Sequence, residues 1–294
     1  LLKFGSLDFT DNEKVCAAFQ SVIQCLKDPE LPVRVSAALS ISPFLTHKTI
    51  HEAMKPHVHT IMHELLTLTN EIDMDTLTNV MEDLVSNFSE QIAPFSVQLA
   101  TQLSSTFMRI MGEYAPENEE VDAEDTENKT FAAMGVLKTI TSLIMAVEAS
   151  PAILAELETV IAPIIFYVLK NTIFGKLYDL IQDLYEEIFE MIEMCMFCAK
   201  SVSATMWQLF DVIYHTFKSD GLEFLEDMEP TLDSYIVYGS EVLKHSPEMQ
   251  LRYVDIINTI MTTEVEYVTD SDRLRGCRLM ESMMLNLKPT IDNV

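Results

Sequence analysis

Residues 75 to 88 read Asp75-Thr-Leu-Thr-Asn-Val-Met-Glu-Asp-Leu-Val-Ser-Asn-Phe88, with apolar positions at Leu77, Val80, Met81, Leu84, Val85 and Phe88. Steps of three and four put all six on one side of an α-helix. The stretch therefore predicts a helix with a single buried stripe, which must find a neighbour to cover it.

Working outward, the same periodicity divides the chain into helices that come in pairs. They fall at about 12–26 with 31–45, 51–68 with 75–88, 95–111 with 130–147, 151–170 with 176–198, 204–217 with 222–243, and 249–261 with 272–287. In the third pair Leu99, Leu103, Phe107 and Ile110 mark one stripe, and Val136, Ile140, Leu143, Ile144 and Val147 mark the other. First helices recur at roughly 40 to 60 residues, the period of paired-helix solenoids. One short pair cannot bury both its faces, so neighbouring pairs must stack and share a continuous core. The expected architecture is all-α: a HEAT-repeat α-solenoid, one continuous array of about six antiparallel helix pairs over residues 1–294, with an acidic insertion at 113–128. A chain that opens on a helix without an initial Met is expected to be a piece of a longer one.

Composition agrees with that class. Only seven glycines occur in 294 residues, and good helix formers dominate over β-branched alternation. Forty-six acidic against 19 basic side chains leave a formal charge of -27. Such a field disfavours direct nucleic-acid binding and attracts basic proteins. The longest uncharged central run, about 159–169, falls short of the roughly 20 residues of a membrane span, so no membrane insertion is expected. No secretory signal is expected from the residues ahead of the first helix. The cysteines are Cys16, Cys25, Cys195, Cys198 and Cys277, an odd set without framework spacing that points to a reducing compartment.

Asp28, Val33, Arg34, Ala37 and Ala38 follow the turn and second-helix pattern of a HEAT repeat. Further signals are Asp75-Thr-Leu-Thr-Asn-Val-Met81, Phe88-Ser-Glu-Gln-Ile-Ala-Pro94, Ala132-Ala-Met-Gly-Val-Leu137, Tyr185-Glu-Glu-Ile-Phe189 and Met206-Trp-Gln-Leu209. With these the chain resembles the importin-beta superfamily of nuclear transport receptors, the karyopherins. Within it the similarity is closest to the importin seven and importin eight branch and its fungal counterparts, over about residues 28–238 and in the later repeats. The resemblance implies import of basic cargoes such as ribosomal proteins and histones, release by Ran-GTP, contact with phenylalanine-glycine nucleoporins, and shuttling between cytoplasm and nucleus. A HEAT scaffold of another class, such as a phosphatase-assembly or chromosome-associated subunit, or an export receptor, is the competing reading.

Two acidic elements are the candidate cargo contacts. The first lies between Arg109 and Lys129 and holds Glu113, Glu117, Glu119, Glu120, Asp122, Glu124, Asp125 and Glu127 with no basic residue. The second is Asp179, Asp183, Glu186, Glu190 and Glu193, whose steps of four, three, four and three set five carboxylates on one helical face. Like charges at those spacings each cost a few tenths of a kcal/mol, about 0.2–0.5, and a basic partner would relieve them. In both cases a solvated surface is the plain alternative. Glu223, Glu226, Asp227 and Glu229 form a weaker cluster because their spacing mixes faces.

Other motifs read as structure. His59 and His63 are one turn apart, but Thr60 stands where a zinc protease requires Glu, so His57, His59 and His63 read as solvent or helix-end residues. Cys195-Met-Phe-Cys198 has half-site spacing inside a continuous helix and reads as buried thiols. Trp207 reads as core, with Phe210, Val212 and Tyr214 nearby. There is no glycine-rich phosphate loop and no G-x-S-x-G elbow. No enzyme, catalytic residue, cofactor or metal is expected.

Overall fold

The computed structural model describes residues 12–45, 47–72, 75–113, 123–174, 183–264 and 268–287, and among them no strand occurs. The chain is an all-α HEAT-repeat solenoid by class. It divides into two compact units, Leu1–Val160 and Ile161–Val294.

The first unit begins with α1 (Asn12–Cys25), α2 (Leu31–Leu39) and the short α3 (Ser42–Leu45). Asp28 Oδ1 accepts the Glu30 N–H at 2.9 Å, which turns the chain into α2. Ala37 and Ala38 of α2 are fully buried, the small residues that a close helix approach requires. Next come α4 (Lys48–Met54), a 3-10 turn Lys55–His57, α5 (Val58–Glu71) and α6 (Asp75–Asn87). The sequence reading runs 51–68 as one helix. Pro56 divides it, because proline lacks the N–H that the α ladder needs.

On α6 the stripe of Leu77, Val80, Met81, Leu84 and Val85, continued by Phe88, is 0–4% exposed. It packs against α5 and against α9 (Ala123–Ala146), and α9 also meets α8 (Ser96–Glu113), which the short α7 (Ser89–Ile92) precedes. The α6–α9 approach is close: a Cβ at Gly135 would run into the Thr78 side chain. Helix α8 continues to Glu113 and α9 begins at Ala123, so helix enters the charged insertion from both sides.

The unit boundary falls inside α10 (Pro151–Phe174). The second unit continues with α11 (Tyr185–Ala199), α12 (Ala204–Asp220), α13 (Leu225–Lys244), α14 (Pro247–Thr262) and α15 (Asp270–Asn286). Its core is aromatic. Phe210 stacks on Tyr253 at 5.4 Å and meets Tyr235 at 5.2 Å, while Trp207 lies 5.3 Å from Tyr235. The buried hydroxyls are satisfied by main chain: Tyr235 donates to the Met206 carbonyl at 2.6 Å, and Tyr253 to that of Leu232 at 2.9 Å. A Cβ at Gly239 would stand 2.5 Å from the Trp207 ring, so glycine is what admits the indole.

Side-chain bonds betray the repeat. His51–Asn87 and Thr106–Asn70 are 36 residues apart, Arg34–Glu71 and Lys218–Asp255 37, Arg109–Thr69 40, Tyr214–Asp255 and Arg252–Asp211 41, and Thr231–Phe189 42. His51–Asn87 joins the two halves of one pair, and each of the others ties a helix to an element one repeat away, within its own unit.

Among the described residues two helical stretches, Asn128–Ala146 and Pro151–Asn171, are by length and composition long and apolar enough to cross a membrane. This differs from the sequence expectation, which counted only residues without charge. Buried residues make up 67% and 50% of the two, and the first is the core helix packed on α6 and α8.

Candidate functional site: two acidic rows on neighbouring helices

Helix α11 buries Tyr185, Ile188, Phe189, Met191, Ile192, Cys195 and Met196 against the second unit's core. Glu186 and Glu190 are exposed and Glu193 half-buried on the other side, at steps of four and three. Helix α13 repeats the arrangement. Glu226 is exposed, and Asp227, Glu229 and Asp233 are half-buried.

The two helices pack directly on one another, and a buried bond fastens them: Thr231 donates its hydroxyl to the Phe189 carbonyl at 2.7 Å. The carboxylate rows therefore act on each other. Burial raises the Glu193 pKa above the usual carboxylate value, and Glu190, Glu229 and Asp233 push the same way. Asp227 is raised by burial, then by Glu186 and Glu226, against an opposing pull from Arg275. Glu229 is raised by burial and Asp233, opposed by Arg278 and Arg275. These directions describe crowded negative charge whose ionised state is costly in the absence of a counter-charge.

The rows end at α15. Arg275 pairs with Glu226 at 2.9 Å and with Asp272 at 3.1 Å. Charges on the first helices of the pairs are instead neutralised locally. Asp255 of α14 accepts from Tyr214 at 2.7 Å and Lys218 at 2.9 Å, and Arg252 reaches Asp211 at 2.7 Å.

Of the sequence candidates, Glu186, Glu190 and Glu193 share the α11 face. Asp183 is exposed in the turn before α11, which starts at Tyr185, and the expected helix start near residue 176 lies outside the described residues. Asp179, Glu117, Glu119, Glu120 and Asp122 lie outside the described residues. Glu124, Asp125 and Glu127 fall in the first turns of α9, with their side chains outside the description. Sequence reasoning missed the second row as a partner of the first, and Asp233 altogether. The signal was the repeat: Glu186 and Glu226 are 40 residues apart, as are Glu193 and Asp233, and the exposed apolar residues Phe197 and Val237 that follow them.

The remaining candidates are structural. His51 stacks on Phe88 at 4.5 Å, and His59 meets the Phe95 edge at 4.7 Å. Cys195 and Cys198 are buried. Among the described residues no group of three or more His, Cys, Asp or Glu is placed to hold a metal.

Antiparallel helix pairs repeating near 40 residues and packing on their neighbours define a HEAT-repeat protein. The family follows from its relatives. The chain is similar to human importin-8, 31% identical over 242 residues that cover 82% of this chain and 22% of importin-8. It is also similar to mouse importin-8, 30% identical over 83% of this chain and 23% of that protein. With the Saccharomyces cerevisiae protein named "Nonsense-mediated mRNA decay protein 5" it is 28% identical over 91% of this chain and 26% of the yeast protein. No protein-family model matches the chain. The chain spans about a quarter of the length of these relatives, and it belongs to the importin-beta family. These importin relatives are not enzymes.

Proposed function

We propose that the chain is part of a nuclear transport receptor that imports basic proteins, ribosomal proteins and histones among them. In this reading Ran-GTP governs cargo exchange, phenylalanine-glycine nucleoporins are contacted in transit, and the receptor shuttles between cytoplasm and nucleus. The observation that supports it most is kinship with importins across more than four-fifths of the chain.

The acidic rows supply a physical account of cargo contact. Glu186, Glu190 and Glu193 act on the row of Glu226, Asp227, Glu229 and Asp233, and the mutual repulsion is only partly offset by Arg275 and Arg278 at the α15 end. A Lys/Arg-rich segment laid over them replaces repulsion with attraction, so binding gains from both changes. The acidic stretch Glu117 to Glu127, with Asp179 and Asp183, is proposed as a further cargo contact on the grounds of its sequence.

The test is fluorescence anisotropy of a labelled linker-histone tail at low and physiological salt. The variant is Glu190→Gln with Glu193→Gln, Glu229→Gln and Asp233→Asn, checked for helical content. Loss of about tenfold in affinity or more, with a shallower salt dependence, is expected. Unchanged binding would remove the rows from the cargo site. Tail binding indifferent to Ran-GTP in the full-length receptor would favour a HEAT scaffold over an importer.

A further inference from the structure

The acidic faces of α11 and α13 both end on an apolar side chain. On α11 the helical steps through Glu186, Glu190 and Glu193 continue to Phe197, and on α13 those through Glu226, Glu229 and Asp233 continue to Val237. Phe197 is 42% exposed and Val237 40%. Each follows the last carboxylate of its row by one turn, about 5–6 Å along the helix surface.

Interactions at three levels set the two helices side by side. Near their starts Asp227 and Glu186 repel one another. Midway Thr231 bonds to the Phe189 carbonyl, and Glu193 is repelled by Glu229 and Asp233. At the far end Lys200 Nζ lies 3.5 Å from the centre of the Phe197 ring and 6.0 Å from that of Tyr238, the residue next to Val237. The helices therefore run in the same direction, and their shared surface passes from carboxylates to apolar side chains at one end.

We infer that this surface binds a segment of dual chemistry, with lysine or arginine side chains over the carboxylates and one large apolar side chain, phenylalanine or leucine, against Phe197 and Val237. The inference rests on the reading of the rows as a cargo contact and adds to it the class of basic segment selected. Charge decides the occupant. A neutral or anionic partner gains no attraction from Glu193 and Asp233 one turn away, and a second copy docked face to face would bring its own acidic rows against them. A purely basic segment leaves Phe197 and Val237 in water. One apolar side chain a few residues from the last cation covers them and removes its own surface from water as well.

The test is fluorescence anisotropy on the full chain with a labelled Gly/Ser peptide that carries four lysines flanked at each end by phenylalanine, so that the direction of binding does not matter. Two counterparts replace the phenylalanines by serine or the lysines by glutamine. The lysine/phenylalanine peptide is expected to bind about fivefold tighter or more than the lysine/serine peptide. That ratio should fall to near one in Phe197→Ser with Val237→Ser, checked for helical content. It should persist in Phe131→Ser, which removes a ring of similar exposure, 45%, from the first unit. The inference alone is overturned if the two lysine peptides saturate with equal affinity, if the ratio survives the double substitution, or if Phe131→Ser abolishes it too. If neither lysine peptide saturates, or the glutamine/phenylalanine peptide binds as tightly as the lysine/phenylalanine one, the cargo reading of the rows falls with it.

Discussion

Thr231 on α13 and Phe189 on α11 are joined across 42 residues by a hydroxyl-to-carbonyl bond of 2.7 Å, wholly inside the second unit's core. The bond lies beneath the two acidic rows and sets their separation. Thr231→Val keeps the shape and removes the donor, so the second unit should lose about 1 kcal/mol. Urea unfolding followed at Trp207, the single tryptophan, reads this unit. An unaltered midpoint would show that the bond contributes nothing.

The raised carboxylates fix the sign of a pH effect. Glu193, Asp227 and Glu229 bind protons more tightly folded than unfolded. Their contribution is fully present below the unfolded carboxylate pKa, and it is lost as pH rises through the folded values. Glu193→Gln should therefore raise Tm at neutral pH and have little effect near about pH 3, where the wild-type group is protonated anyway. A Tm gain that persists unchanged into acid would contradict the crowding.

Bound basic ligand should reverse the same shifts. Binding in the mildly acidic range should release protons, and the heat of binding should depend on the ionisation enthalpy of the buffer. Calorimetry in two buffers at one pH measures this directly.

Close helix approaches set a steric requirement. Gly135→Ala would press on Thr78 between α6 and α9, and Gly239→Ala on Trp207 between α12 and α13. Each should cost about 1–3 kcal/mol by overpacking, the first in one unit and the second in the other. Only the second should perturb tryptophan fluorescence.

Lys200 ends α11 at φ 50, ψ 28 with its ammonium 3.5 Å from the Phe197 ring centroid. Lys200→Gly should relieve the left-handed strain, worth about 1 kcal/mol, and forfeit the cation–π contact, leaving a small net gain. Lys200→Ala keeps the strain and loses the contact, so it should be the less stable of the two. Parallel thermal melts decide the order.

Local periodicity carried most of the fold. The Leu77 to Phe88 stripe and the Asp28, Arg34, Ala37, Ala38 pattern are readable because burial imposes them residue by residue, and Arg34 proves to grip both Glu71 oxygens at 2.7 Å. Helix ends were less legible. Pro56 interrupts a hydrophobic pattern that continues across it, and α11 starts after Asp183 although the acidic spacing begins earlier. The candidate site was half visible. Glu186, Glu190 and Glu193 declare one face, whereas Glu226, Asp227 and Glu229 look scattered until a second helix one repeat away gives them a partner row. No window shorter than the repeat contains that relationship.

The 40-residue offset between the rows also amounts to a ruler. Packed helices lie about 8–10 Å apart, and a polyproline II segment, with three residues per turn and a rise of about 3.1 Å, returns every third side chain to one face about 9 Å further on. A segment crossing from Glu193 to Asp233 in that form would therefore meet its next carboxylate after about three residues, whereas a step along either row spans only about 5–6 Å. Basic segments with a positive side chain at every third position match the crossing direction, so charge spacing, beyond charge number, would distinguish one basic ligand from another.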